Sequence, residues 1–173
     1  MNWHELIKGQ AEHAYRASEG LMQMVDDSEL SWKPPSGENW MTVNQLLRHM
    51  TEACGFAFRG FVNNDWTPPA DVNPEAMEPS TLLPAEKMPT VPSVAHAIEH
   101  LHEDQQIAYD LLAQCSEEDL NSKISVAPWN PEDKMVLGAR LLQMVDHLSH
   151  HKCQLFYYLK QLGKPVNTFH LWA

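Results

Sequence analysis

The stretch that decides the fold is LLQMVDHLSHHKCQLFYYLKQLGKPV, residues 141–166. Because Gly163 is a good residue to follow a helix and Pro165 prevents its continuation, we predict a helix over about 135–162. Three histidines interrupt its apolar pattern. The apolar side chains recur at the intervals of one helical face: Leu137, Leu141, Met144, Leu148, Leu155 and Leu162.

Helical phase separates the three histidines of this helix. His151 lies roughly 30° and His147 roughly 70° from the buried direction, whereas His150 points roughly 130° away. His147 and His151 are four residues apart, so both imidazoles lie on one face, close enough to share a cation. Two buried rings that are hydrogen-bonded within the core are the alternative, and the spacing leaves both readings open.

Three further helices are predicted, over about 3–25, 42–63 and 93–115. Thr42 and Gln45 form a capping box at the start of the second. A proline-rich connection, 64–92, contains seven prolines and excludes a regular helix, and 116–134 reads as irregular. No alternating strand pattern is evident. We therefore expect an all-α four-helix bundle with long irregular connections, forming one domain over residues 1–173.

Charge and cysteine usage restrict the possible partners. With 12 basic and 23 acidic side chains the formal charge is −11, which argues against nucleic-acid and membrane binding. No apolar run approaches the roughly 20 residues of a membrane-spanning helix, and no secretory signal is evident. The three cysteines are widely spaced, so a reduced, cytoplasmic protein is expected. Cys54 falls on an apolar stripe and is predicted to be a buried thiol.

A third ligand for a shared cation would come from another helix, and His49 is the candidate. It lies roughly 110° from the centre of the apolar stripe of its helix, a position that phase alone does not select. His96 and His100 are also four residues apart, but their phases predict exposure. Glu99 and His102 match half of a di-iron carboxylate pattern, which needs a second such motif.

Two stretches and the order of the elements carry a resemblance to the DinB/YfiT-like superfamily of metal-dependent enzymes. The first stretch is WKPPSGENWMTVNQLLRHM, and the second is DHLSHHKCQLFYYLKQLGKPV. The resemblance implies a helical bundle, often a homodimer, with a divalent metal held by His49, His147 and His151. Relatives often have Arg-Gly where this chain has Lys152-Cys153, positions that we expect to point outward.

The resemblance also implies chemistry on a small molecule. Zinc, nickel and iron all suit histidine ligands. Family members resemble thiol S-transferases that use low-molecular-weight thiols, and others are called hydrolases. Glu52, one turn beyond His49, is the candidate base or partner of a ligand imidazole, and Asp146 is a weaker one. The non-enzymatic alternative is a metal-binding or stress-response scaffold or a dimerisation protein. The apolar C-terminal tail is expected to pack on the domain or on a partner.

Overall fold

The computed structural model of the protein describes residues 2–69 and 83–172. Most of these residues are helical, which confirms the predicted fold class. The centre of the predicted proline-rich connection, 70–82, lies outside the described residues. Near its end, a short 3-10 helix, Ala85–Lys87, precedes the buried Val91.

The first helix, α1, runs from Trp3 to Met22 and begins as its sequence dictates. Asn2 caps it, accepting from the Glu5 backbone N–H at 2.9 Å, and the Glu5 carboxylate accepts from Asn2 in return. The buried face of α1 packs against the two longest helices, α4 (Val94–Gln114) and α6 (Leu137–Gln161). This packing places the core between the three long helices.

The second predicted helix is divided into α2, Val43–Met50, and α3, Gly55–Asn63. The capping box of α2 is confirmed: Thr42 N–H donates to Gln45 Oε1 at 2.8 Å. The break follows from close packing of α3 on α4. A Cβ on Gly55 would lie 2.3 Å from the Asp104 carbonyl oxygen, and the Asp104 carboxylate caps the start of α3. Cys54, in the break, is fully buried as predicted.

The stretch predicted to be irregular, 116–134, mostly forms regular secondary structure. It contains α5, Glu117–Ser122, followed by a hairpin of antiparallel strands β1, Ile124–Ala127, and β2, Asn130–Val136. The buried Arg140 of α6 holds the hairpin: Nη2 donates to the Asp133 carbonyl at 2.9 Å, and Nε donates to Ser125 Oγ at 3.3 Å. The expectation of no strands was therefore wrong. The four residues of β1 alternate in burial, but Ile124 and Val126 are exposed and Ser125 is buried, so the apolar pattern does not indicate a strand.

The helix α6 ends near Gly163, whose φ of 78° is the left-handed conformation expected after a helix. The tail forms a short helix, α7 (Phe169–Trp172), which packs on α1 and α6, as expected for a tail that returns to the domain. It covers Lys152, which is 8% exposed and whose Nζ donates to the Leu171 carbonyl at 2.8 Å. The prediction that Lys152 points outward was wrong, because the register of α6 does not reveal what the tail covers.

Across the described ranges, every helix is too short or too polar to cross a membrane.

Candidate metal centre

Three imidazoles from two helices converge at one point of the core surface. His49 lies in the last turn of α2, and His147 and His151 lie one turn apart on α6, against which α2 packs. The Nε2 atoms of His49 and His147 are 3.1 Å apart, and those of His147 and His151 are 2.9 Å apart. All three ligand nitrogens lie within 4.8 Å of one another. The structure thus brings together the three residues that the sequence and the resemblance singled out.

The pKa values of the triad favour neutral rings. Burial, together with the neighbouring His151 and His147, lowers the pKa of His49 from 6.5 to about 3. Burial and the charge of His151 lower the pKa of His147 to about 4, against a backbone hydrogen bond with Ala53. The pKa of His151 is also lowered by burial. At neutral pH each ring therefore retains a nitrogen lone pair, the form that binds metal ions.

The spacing of the nitrogens fits a shared ion. Two nitrogens bound to one ion at about 2.0–2.1 Å are roughly 2.9 to 3.4 Å apart for angles between 90° and 110°. The separations of 2.9 Å between His147 and His151 and of 3.1 Å between His49 and His147 fall in this range. The rings meet edge to face, with interplanar angles of 74° and 89° at His49, so each can direct a nitrogen inward. The donor set, three neutral imidazoles, suits zinc, nickel and iron.

The two candidate carboxylates lie beside the triad rather than in it. Glu52 forms an ion pair with Arg48 at 2.6 Å, and the Arg48 side chain is 3% exposed. The role of Glu52 as a base stays a prediction. Asp146 faces away, 3.6 Å from the Nδ1 of the exposed His150. The outward direction predicted for His150 is confirmed, which separates it from its neighbour His151.

Other histidines have structural contacts of their own. His96 and His100 stack on α4 with ring centroids 4.2 Å apart, and both are half-buried rather than exposed as predicted, because each ring covers the other. His102 pairs with Glu19 at 3.0 Å. Within residues 2–69 and 83–172, the triad is the one cluster of three or more histidine, cysteine, aspartate or glutamate side chains that could hold a metal ion.

Sequence reasoning did not single out Gln154 as a contributor to this site. The Oε1 atom of Gln154 lies 3.0 Å from Nδ1 of His151, whereas Nε2 of the same ring faces His147. The signal that could have found it is its position three residues after His151, where helix geometry makes the side chains neighbours.

The fold is mostly helical, and its three converging histidines could hold a metal ion. The comparisons identify the family. The DinB superfamily model matches residues 10–155, so the chain belongs to the DinB superfamily.

Two crystal structures of bacterial proteins show the same fold. A DinB-like protein from Bacillus cereus ATCC 10987 superposes with a TM-score of 0.68 at 14% identity, covering 94% of this chain and 95% of that one. The DinB-like protein YjoA from Bacillus subtilis gives 0.66 at 15% identity, covering 95% and 97%. No curated protein sequence shows significant similarity to this chain.

Proposed function

We propose that the protein is a metal-dependent enzyme that acts on a small molecule, with one divalent ion held by His49, His147 and His151. The observation that carries the proposal is the convergence of three neutral imidazole nitrogens, two pairs of which are 2.9 and 3.1 Å apart. Zinc, nickel and iron are the candidate ions. The metal-capable cluster and the family membership support this reading.

The number of ligands favours catalysis over a purely structural site. Structural zinc sites are usually closed by four protein ligands, whereas catalytic sites keep one position for water or substrate. All three histidines are half-buried rather than fully enclosed, which supports access of a small molecule to an ion bound there. When bound, a divalent ion supplies a Lewis acid that lowers the pKa of a water or a thiol.

We propose thiol S-transfer as the reaction, with hydrolysis as the other chemistry such a site supports. In S-transfer a low-molecular-weight thiol loses its proton, a carbon–sulfur bond forms and the leaving group departs from the electrophile. Glu52 is the proposed proton acceptor, because it lies one turn from His49 and its ion pair with Arg48 fixes the carboxylate there. The formal charge of −11 supports a small molecule rather than a nucleic acid as partner.

Activity of the metal-loaded protein tests the proposal. Protein loaded with zinc, nickel or iron is assayed with thiols and a chlorodinitrobenzene, and separately with a nitrophenyl ester. We expect one activity that His147→Ala abolishes and that His150→Ala leaves intact, since His150 is exposed beside Asp146. Glu52→Gln should lower the turnover rate without removing the ion. Absence of both activities in every loaded form would contradict an enzymatic role for this site.

A metal-binding scaffold is the second candidate, because the three ligands join α2 to α6 and an ion would cross-link the two helices. Thermal unfolding with and without a chelator separates the two functions. A scaffold predicts that chelation and His151→Ala both lower the melting temperature sharply. An enzyme predicts a modest change with full loss of activity.

We further propose that the protein is a cytoplasmic homodimer of single-domain chains. A core that extends from Ile7 to Val166 supports one domain, and three free cysteines support a reducing compartment. Three exposed aromatic side chains at the C-terminal end support a second copy as partner: Tyr157, Phe169 and Trp172. Light scattering should give twice the chain mass, and a mass of one chain at micromolar concentration would contradict the dimer.

A further inference from the structure

A short series of hydrogen bonds connects His151 to the segment that precedes α2. Nδ1 of His151 lies 3.0 Å from Oε1 of Gln154. The Nε2 amide of Gln154 donates to the Tyr158 hydroxyl at 3.1 Å, and that hydroxyl donates to the Met41 carbonyl at 2.9 Å. The three side chains therefore form one continuous path on the outer side of the triad.

The far end of this path determines the direction of every bond in it. The Met41 carbonyl can only accept, so it takes the single proton of the Tyr158 hydroxyl. The hydroxyl must then accept from Gln154, which fixes the amide with its NH₂ toward Tyr158 and its carbonyl toward His151. A carbonyl oxygen can only accept, so His151 carries its proton on Nδ1. Its other nitrogen, Nε2, then presents a lone pair toward the triad.

Packing keeps the anchor of the path in place. Tyr158 is 2% exposed, and its ring makes edge contacts with Trp32 and Trp40 at centroid distances of 5.3 and 6.2 Å. A hydroxyl fixed in this way cannot readily turn its proton toward Gln154. The segment that contains Met41 leads directly into α2, which carries His49.

We propose that Gln154 and Tyr158 are positioning residues that select the His151 tautomer with its Nε2 lone pair directed at the metal position. This inference rests on the proposed metal site, and it adds how the ligand is prepared before the ion arrives. Partners of this kind, which bind the far nitrogen of a ligand imidazole, typically contribute 10- to 100-fold to metal affinity.

Two measurements test the proposal on four variants. Zinc affinity is measured by competition with a chelating dye, and the His151 tautomer is read from ring ¹⁵N chemical shifts of the zinc-free protein. Gln154→Ala should weaken zinc binding about 10- to 100-fold and give a mixture of tautomers. Gln154→Glu keeps an acceptor for Nδ1 and should retain both affinity and tautomer. Tyr158→Phe should cause a smaller loss, because the amide can then rotate. Gln161→Ala, exposed at the end of the same helix, is the matched control.

The two measurements distinguish failure of this proposal from failure of the proposed function. Wild-type affinity and an unchanged tautomer in Gln154→Ala would overturn the positioning role while leaving the metal site intact. Wild-type protein without zinc affinity would overturn the metal site. The positioning role would still hold in that case if the wild-type ring carries its proton on Nδ1 and Gln154→Ala does not.

Discussion

Replacing Asp104 by asparagine should change the pH dependence of stability in a defined way. The Asp104 side chain is 4% exposed and accepts hydrogen bonds from the Tyr15 hydroxyl at 2.7 Å, Phe56 N–H at 3.0 Å and Cys54 N–H at 3.2 Å. Burial raises its pKa from 3.8 to about 6 even though these donors favour the ionised form. The folded protein therefore holds a proton on Asp104 at a pH where the unfolded chain has lost it.

The sign and size of the effect follow from this difference in pKa. Below pH 3.8 the carboxyl is protonated in both states and contributes nothing. As the pH rises from 3.8 to about 6, the unfolded chain loses this proton while the folded protein still holds it, so stability falls. Above about 6 the folded carboxyl also ionises, and the loss is complete. Since a tenfold change in an equilibrium corresponds to about 1.4 kcal/mol, the full loss is about 3 kcal/mol. An asparagine does not ionise, but its one acceptor oxygen can replace only one of the two carboxylate oxygens that accept from Cys54 and Phe56. The variant therefore carries a loss of stability that does not depend on pH.

Urea unfolding of wild type and Asp104→Asn at pH 4, 5, 6 and 7 measures this effect. The free energy of unfolding of wild type should fall relative to the variant by about 2.4 kcal/mol between pH 4 and pH 7, because part of the full loss has already occurred at pH 4. Asp110→Asn, exposed on the same helix, is the matched control for the loss of one negative charge. A difference between wild type and Asp104→Asn that stays constant across this range would show that folding does not raise the pKa of Asp104, and would refute the reasoning.

Three further substitutions test the packing that positions the site. Gly55→Ala should lower the free energy of unfolding by about 1–3 kcal/mol, because its Cβ would lie 2.3 Å from the Asp104 carbonyl oxygen. Gly20→Ala, with no atom within 4 Å, should instead stabilise the protein by about 0.5–1 kcal/mol. Asp133→Ala should lower the free energy of unfolding, because it removes the carboxylate from the buried Arg140 guanidinium. Equal unfolding free energies for Gly55→Ala and Gly20→Ala, or for Asp133→Ala and wild type, would contradict these assignments.

The sequence was most informative where local and tertiary forces agree. The capping box of Thr42 and Gln45 and the glycine after α6 are determined by neighbours within a few residues, and both are found as predicted. The inward placement of His147 and His151 follows from helical phase alone. Selecting His49 required the family resemblance, because its phase places it at the flank of the stripe, where many polar residues are solvated.

The features that were missed depend on contacts between distant residues. The break between α2 and α3 is imposed by Asp104, about fifty residues away. The sequence does not indicate that this aspartate is buried. The hairpin depends on Arg140, a charged residue that is not part of the apolar pattern of α6. Lys152 is covered by α7, whose return to α6 cannot be read from the period of either segment.

The most direct test of the metal centre is the metal content of purified protein and its histidine variants, measured by elemental analysis after growth with zinc, nickel and iron. The arrangement predicts one ion per chain in wild type and in His150→Ala, and none in His49→Ala or His147→Ala. A wild type without a bound ion, or a His147→Ala variant with as much as wild type, would contradict it.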